Sequence, residues 1–247
     1  MVGSGRGWEP RPVRGDRPLL DGRLMTDDLH PNYYPAFLDL RGKMAVVVGG
    51  GEVALRKIEA LLAVGAVVRV VAPEIHHDVE ELERRGALRI ERRSYRTGDL
   101  EGAVLAIAAT SSPEVNRTVS EEASSRNVLL NVVDSPALSS FIVPSVVRRG
   151  DLTVAISTGG LSPALARRLR QKLEATLVPE YGGFLRLLGG MRDRVRRELP
   201  ALRQREAFWT EVVDSDVFEL YRRDGEGAAR VRIDEIMRRM RGVEESN

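Results

Sequence analysis

The sequence predicts an α/β fold, with a parallel sheet in its first half and a mainly helical second half. Three observations support this prediction. Short apolar runs rich in β-branched residues alternate with segments of helical periodicity between residues 44 and 133. The first of these runs ends in three consecutive glycines, Gly49–Gly51. After Asp134 the alternation stops, and longer amphipathic segments take its place.

The first half contains five apolar runs of strand length, at Met44–Val48, Val67–Val71, Leu88–Arg92, Val104–Ala108 and Val128–Val133. Helical periodicity predicts helices in three of the gaps, at Glu52–Val64, Ile75–Arg85 and Pro113–Arg126. Strands that alternate with helices in this way pair in parallel and carry helices on both faces. The expected architecture is therefore a Rossmann-like, doubly wound sheet.

The second half predicts two strands followed by helices. The strands are expected at Phe141–Val147 and Leu152–Ile156, on either side of the turn Arg149-Gly150-Asp151. A helix from Ser162 to Leu177 begins with a favourable N-cap, Ser162, and a proline in its first turn. Further helices are expected at Tyr181–Leu199, Leu202–Val213 and Arg232–Met240.

The composition restricts the chemistry. Cysteine is absent, which excludes disulfides, thiolate nucleophiles and cysteine-ligated metals. Only three histidines exist, so acid–base chemistry is expected from carboxylates, tyrosine or lysine, and no metal site is expected. The net charge of +2 argues against a nucleic-acid partner. No apolar run approaches the length of a membrane span or forms a leader, so we expect no membrane partner and a cytoplasmic location.

The glycine run fits the alanine-ended form of the dinucleotide-binding pattern G-x-G-x-x-G/A, because Gly49, Gly51 and Ala54 have the required spacing. It follows a strand and opens a helix, as the pattern requires. Gly49 permits the tight turn, and Gly51 lets the backbone approach a pyrophosphate. The helix N-terminus at Glu52 and Val53 offers N–H groups to phosphates. The alternative is a glycine-rich turn that binds nothing.

The end of the second strand, Ala72-Pro73, is expected to line the same cofactor site. An acid that binds the ribose normally stands about 20 residues beyond the glycine pattern, and Glu74 lies slightly late for this role. No arginine follows the strand to hold a 2′-phosphate. The sequence therefore favours NAD over NADP.

Two later turns carry polar residues. Asp134 follows the fifth strand, and ligands of open parallel sheets bind beyond the carboxyl ends of strands. It is a candidate base, or alternatively a cap of the turn at Ser135-Pro136. The turn Thr158-Gly159-Gly160 precedes the helix at Ser162 and could present N–H groups to an anion. The alternative there is an ordinary capped helix.

Basic residues concentrate on the following helices. Much of this charge is expected on solvated faces, but a minority could bind a polyanionic ligand, since arginine grips carboxylates in bidentate fashion. The residues concerned are Arg167, Arg168, Arg170, Lys172, Arg186, Arg192, Arg194, Arg196 and Arg197.

Taken together, the segments resemble the precorrin-2 dehydrogenase family, which includes the N-terminal half of bifunctional siroheme synthases. The matching stretches are Tyr34–Leu40, Val46–Ala54, Arg56-Lys57, Leu62–Ala66, Ala106–Thr110, Val115-Asn116, Asn131–Pro136, Ser140–Ser145 and Val154–Pro163. The Asn-Val-Val-Asp and Gly-Gly-x-Ser-Pro segments are the most specific. Thr158 departs from the serine common in relatives, and Ser111-Ser112 from acidic residues found in some.

Residues 1–30 are expected to form a disordered tail, since Gly, Pro and Arg dominate them. For the rest of the chain the resemblance implies three regions, of which the first, residues 31–142, is an NAD-binding Rossmann domain. Residues 143–188 form a dimerisation region, and residues 189–247 a C-terminal helical domain. The family forms homodimers with the active site in the cleft between domains and subunits.

The implied activity is NAD-dependent oxidation of precorrin-2 to sirohydrochlorin in siroheme biosynthesis, with Asp134 as catalytic base. Ala109 and Thr110 join the cofactor-binding residues. Residues expected to bind the tetrapyrrole are Asn131, Ser145, Thr158, Gly159 and Gly160. Some relatives also insert ferrous iron into sirohydrochlorin, and the sequence does not decide whether this chain does. The alternatives are a non-catalytic NAD-sensing regulatory module and a dehydrogenase of small metabolites.

Overall fold

A computed structural model of the chain describes residues 33–242. The elements below lie in one compact unit that begins at Pro35. The tail expected at residues 1–30 lies outside the described residues. Within the part described, no helix has the length and apolar character needed to cross a membrane.

A five-stranded parallel sheet forms the first half, in the order β3-β2-β1-β4-β5. Its strands are β1 (Met44–Val48), β2 (Val67–Val71), β3 (Leu88–Glu91), β4 (Leu105–Ala108) and β5 (Leu129–Val132). The helices between them are α1 (Glu52–Leu62), α2 (His77–Arg84) and α3 (Pro113–Arg126). The expected doubly wound sheet is confirmed, and the chain reverses its winding between β1 and β4.

Both faces of this sheet are covered, which explains why its strands are apolar along their whole length. Ala45 and Val47 of β1 belong to the core under α1 and α2, whereas Val46 and Val48 belong to the core under α3. All four side chains are essentially inaccessible to solvent. Ala54 of α1 is fully buried as well, as expected for the residue that brings helix and strand together.

Serine hydroxyls cover the outer edge of β5. Ser140 Oγ accepts a hydrogen bond from Leu130 N at 2.8 Å, and Ser139 Oγ accepts one from Val132 N at 2.9 Å. A short 3-10 helix, Pro136–Leu138, turns the chain back toward this edge. The unpaired N–H groups of an edge strand are thus bonded by side chains rather than by a further strand.

The strand expected at Phe141–Val147 is wrong in its bounds, because β6 runs from Ser145 to Arg149. Phe141 N instead donates to Leu130 O beside the first sheet, and Pro144 has no N–H for a ladder. The antiparallel partner β7 (Leu152–Ile156) has five residues, so pairing ends where Ser145 meets Ile156.

The helix α4 (Pro163–Thr176) follows this hairpin and is held at both ends. Ser162 Oγ accepts from Leu165 N at its start, so the expected N-cap is confirmed. At its end, the Arg149 guanidinium of β6 donates to Leu177 O at 2.6 Å and Glu174 O at 2.8 Å. A cation at the free carbonyls of a helix C-terminus also suits the helix dipole.

Three helices complete the chain: α5 (Glu180–Glu198), α6 (Leu202–Asp214) and α7 (Val217–Gly242). They share a core that includes Phe184, Phe208 and Ile233. The helix expected at Arg232–Met240 is too short, because α7 begins 15 residues earlier and is interrupted at Gly225, where φ is +86°. The expected α/β fold with a C-terminal helical region is confirmed.

A buried carboxylate ties the loop before β4 to α3. Glu122 accepts hydrogen bonds from the Tyr95 hydroxyl at 2.5 Å and from Gly98 N at 2.9 Å, and Arg126 lies 2.8 Å away. Burial opposes the charged form of Glu122. The hydrogen bonds and Arg126 outweigh that effect and hold the pKa of Glu122 below its usual value.

We expect Glu122→Gln to lower the free energy of unfolding by about 2 kcal/mol at neutral pH, because it removes hydrogen bonds to a charged acceptor and leaves Arg126 unpaired. The pKa of Glu122 is lower in the folded state. Its contribution is therefore complete above the unfolded pKa near 4.5 and is lost as the pH falls below that value. Urea unfolding of wild type and variant from pH 7 to pH 3 measures both effects. Glu121→Gln, at an exposed neighbour, is the control.

Candidate active site

The glycine turn after β1 packs very closely against two neighbouring strand ends. Gly49 has φ +119°, and a Cβ there would collide with the backbone oxygen of Ala109 beyond β4. A Cβ on Gly50 would collide with the backbone oxygen of Glu74 beyond β2. Both positions therefore need glycine for the fold alone, whether or not a ligand binds. Gly50 was not expected to matter, since the nucleotide-binding pattern leaves that position open.

Gly51 differs from both. Its φ of −84° is open to any residue, and a Cβ there would meet no protein atom within 4 Å. Neither backbone conformation nor packing explains a glycine at this position. The space beside it is open at the start of α1, where Gly51 provides no side-chain cap for the helix. The first N–H groups of α1, at Glu52 and Val53, are thus suited to a phosphate. This arrangement fits the pyrophosphate of a dinucleotide.

The other expected cofactor-binding residues surround the glycine turn. Ala109 N donates to Val48 O at 2.7 Å, and Thr110 Oγ1 accepts from Ser112 N at 3.1 Å, so the loop after β4 is internally bonded. Ala72 is buried at the end of β2, and Pro73 beside it is exposed. The structure therefore brings the ends of β1, β2 and β4 together, as expected at a switch point in strand order.

A cavity of about 490 Å³ lies at the carboxyl end of β5. Its walls come from the turn after β5, from the ends of β6 and β7, and from α4. This volume falls within the range of roughly 300–1,000 Å³ that is usual for ligand sites. Among the residues expected to bind substrate, Asn131, Ser145, Thr158 and Gly160 line it, whereas Gly159 does not.

Asp134 lines the cavity from the tight turn that follows β5. Its φ is +59°, a left-handed conformation that aspartate tolerates better than most residues. The turn is closed by Ser135 N donating to Val132 O at 3.1 Å. Within residues 33–242 the Asp134 carboxylate accepts no hydrogen bond, and the following 3-10 helix has no side-chain cap. The capping interpretation of Asp134 is therefore not supported by any contact in the described chain.

The polar residues beside Asp134 already make some of their hydrogen bonds within the protein. Asn131 Nδ2 donates to Phe141 O at 3.0 Å. In the Gly-Gly turn, Gly159 N donates to Ser157 Oγ and Ser162 N donates to Thr158 Oγ1. Because two of its N–H groups are bonded internally, this turn favours the capped-helix interpretation over an anion site.

Three basic side chains also line the cavity: Lys57 of α1, and Arg167 and Arg170 of α4. Lys57 was not among the expected site residues. The sequence could have indicated Lys57 as a site residue, since it is one of only three lysines and lies one helical turn beyond the glycine pattern. Burial lowers the pKa of Lys57 and Arg56 adds to this effect, while Asp134 opposes it.

Family models match most of the described chain. Residues 36–145 match a putative NAD(P)-binding family, residues 149–176 match the sirohaem biosynthesis protein central region, and residues 180–237 match the sirohaem synthase dimerisation region. The last match lies mostly C-terminal to residues 143–188, where dimerisation was expected.

Curated relatives carry the same family name. The chain is 45% identical over 188 residues to a siroheme synthase of Pseudomonas aeruginosa (strain LESB58) and 46% identical over 188 residues to one of Azotobacter vinelandii. Each alignment covers 76% of this chain and 40% of the relative. The chain thus spans less than half the length of these relatives.

Among solved structures, the fold matches the precorrin-2 dehydrogenase SirC with a TM-score of 0.68 and 28% identity. The match covers 84% of this chain and 98% of that one. Sequence and fold agree with the resemblance carried by the motifs. The chain belongs to the precorrin-2 dehydrogenase family, which includes the N-terminal half of siroheme synthases.

Proposed function

We propose that this protein catalyses the NAD-dependent oxidation of precorrin-2 to sirohydrochlorin, a step of siroheme biosynthesis. The observation that carries the proposal is the free carboxylate of Asp134 on a cavity at the same sheet edge as the open glycine, Gly51. Strands β1 and β5 are two positions apart in the sheet, which separates their ends by about 10 Å. A cofactor bound at Gly51 and a substrate bound at Asp134 would therefore lie next to each other.

In this mechanism the chain binds and orients both reactants. The N–H groups at the start of α1 would hold the pyrophosphate, and the loop after β4 would line the same cofactor site. Bound NAD would supply the hydride acceptor for oxidation of the macrocycle. The Asp134 carboxylate takes the proton that is lost with it. An unpaired carboxylate is suited to this role, because no internal hydrogen bond competes for its lone pairs.

A regulatory NAD-sensing module is the rival function. Such a module needs the glycine turn but neither a free carboxylate nor basic side chains around a second cavity. The presence of Asp134, Lys57 and Arg167 on one cavity therefore favours an enzyme. A dehydrogenase of small metabolites is a second rival, and an assay with precorrin-2 distinguishes it. The direct test is an anaerobic assay with precorrin-2 and NAD. Formation of sirohydrochlorin, followed by absorbance, supports the proposal, and its absence contradicts it.

NAD rather than NADP is the proposed cofactor, a tetrapyrrole is the proposed substrate, and a homodimer is the proposed assembly. Ferrous iron would be a second substrate only if the protein also chelates it. In that case Asp134 would serve both steps, as a base for pyrrole protons. A cytoplasmic location stays a prediction from the sequence.

Gly51→Asp should abolish NAD binding while leaving the fold intact. The new carboxylate would occupy open space beside the pyrophosphate and repel it, whereas the backbone at φ −84° accepts the side chain without strain. Calorimetric titration with NAD measures the loss, and the thermal midpoint should stay near that of wild type. Gly189→Asp, which also enters open space but lies in α5, is the matched control. Unchanged NAD affinity in Gly51→Asp would remove the assignment.

Asp134→Asn should reduce turnover of precorrin-2 by about 10²–10⁴-fold, since it removes the basic group. NAD affinity should stay within about a factor of two, because the cofactor is held elsewhere. Asparagine is preferred to alanine here, because it tolerates the left-handed backbone of Asp134. The control is Asp151→Asn, in the β6–β7 turn. A variant that turns over at the wild-type rate would exclude Asp134 as the base.

The protein should be a homodimer in solution. Residues 180–237 match a dimerisation region and include exposed apolar side chains such as Leu202 and Val231. Multi-angle light scattering at micromolar concentration should give twice the mass of one chain. A monomeric mass at that concentration would contradict the prediction.

A further inference from the structure

Two of the basic side chains on the cavity have no partner in the described part of the chain. Lys57 and Arg167 make no hydrogen bond or ion pair with any residue in the range 33–242. They come from different parts of the fold: Lys57 lies on α1 of the Rossmann domain, and Arg167 lies on α4 after the hairpin. The cavity therefore carries free positive charge on two of its walls.

Some other arginines near the cavity or in the helical region form ion pairs with acidic side chains. Arg170 also lines the cavity, but it forms an ion pair with Glu174 at 2.5 Å. Arg194 pairs with Glu198 at 2.7 Å and with Asp234 at 2.6 Å. Lys57 and Arg167 differ from these arginines, because neither forms an ion pair within residues 33–242. They are available to a ligand without the loss of an existing ion pair.

Lys57 is half-buried, which makes its lack of a partner more informative. Removing an ammonium group from water without a counter-charge is unfavourable, and burial accordingly lowers the pKa of Lys57. Asp134 contributes only a favourable electrostatic interaction, without a hydrogen bond. A ligand carboxylate in the cavity would supply the missing counter-charge.

We propose that Lys57 and Arg167 form a pair of carboxylate-binding residues that orient the substrate over Asp134. This inference rests on the proposed function and deepens it, because the proposed macrocycle bears carboxylates around its edge. Arg167 presents a planar fork that suits a carboxylate, whereas Lys57 acts as a point charge. Held at two points, the ring cannot rotate in its plane, so one position of the ring is presented to the base.

The pair also protects the base. A cation that pairs with the substrate does not pair with Asp134, and the aspartate stays free to accept a proton. Arg168 and Arg56 do not share this role. Each is adjacent in sequence to a member of the pair, is exposed and has no partner in the described chain, but neither lines the cavity.

The test compares Lys57→Met and Arg167→Met with the matched controls Arg56→Met and Arg168→Met. All four variants lose one positive charge from the same two helices. Equilibrium binding of sirohydrochlorin, measured by fluorescence titration, is the first readout. We expect about tenfold weaker binding for each cavity variant, as for the loss of one charge-assisted contact, and less than a twofold change for the controls. Arg167→Lys should fall between wild type and Arg167→Met.

A second titration uses the methyl ester of sirohydrochlorin, which has the same ring but no carboxylates. The cavity variants should bind this ester as wild type does, because the charges they lack have nothing to pair with. Equal losses for acid and ester would indicate a packing defect and overturn the proposal. Equal affinities of cavity and control variants for the acid would overturn it too.

The steady-state assay separates this inference from the proposed function. If wild type oxidises precorrin-2, the cavity variants should raise KM about tenfold and leave NAD affinity unchanged. If wild type binds sirohydrochlorin through Lys57 and Arg167 but does not oxidise precorrin-2, the dehydrogenase proposal fails while the carboxylate pair stands. If wild type does not bind sirohydrochlorin, the pair is rejected.

Discussion

The close approach of backbone to backbone at the glycine turn is the constraint on which the rest of the site depends. Gly49 and Gly50 leave no room for side chains, because the carbonyls of Ala109 and Glu74 lie where their Cβ atoms would be. This contact fixes the ends of β1, β2 and β4 relative to one another. The start of α1 and the loop after β4 are thereby positioned together. Of the three glycines in the turn, only Gly51 has open space beside it for a ligand.

Most of the sheet could be predicted from the sequence, because buried parallel strands are short apolar runs separated by helical periodicity. The bounds of β1, β2 and β7 agree with the expected ones. The start of β6 could not be predicted, since residues 141–144 are apolar, although Phe141 bonds to the edge of the first sheet and Pro144 has no N–H for pairing. The first half of α7 was missed because Gly225 and Gly227 have the composition of a turn, although tertiary packing keeps helix on both sides.

The site was predictable only where a motif existed. The glycine pattern located the cofactor turn, and position after a strand located Asp134. Lys57 and Arg167 could not be chosen by such reasoning, because one cavity is formed by residues more than 100 positions apart. Whether a basic residue is free depends on the acidic residues around it in three dimensions. Arg167 and Arg170 differ in this respect although they lie within one helical turn.

The serine hydroxyls along β5 have a consequence for how copies of this protein can associate. Because Leu130 N and Val132 N are already bonded, this edge cannot recruit a strand from another molecule. Two subunits therefore cannot join their sheets into one continuous sheet through β5. The same segment protects the protein from aggregation through β5. A chain that ended before Ser139 would leave the N–H groups of β5 unpaired and open to another strand. During synthesis the first sheet is therefore exposed to aggregation until Ser139 and Ser140 have been added.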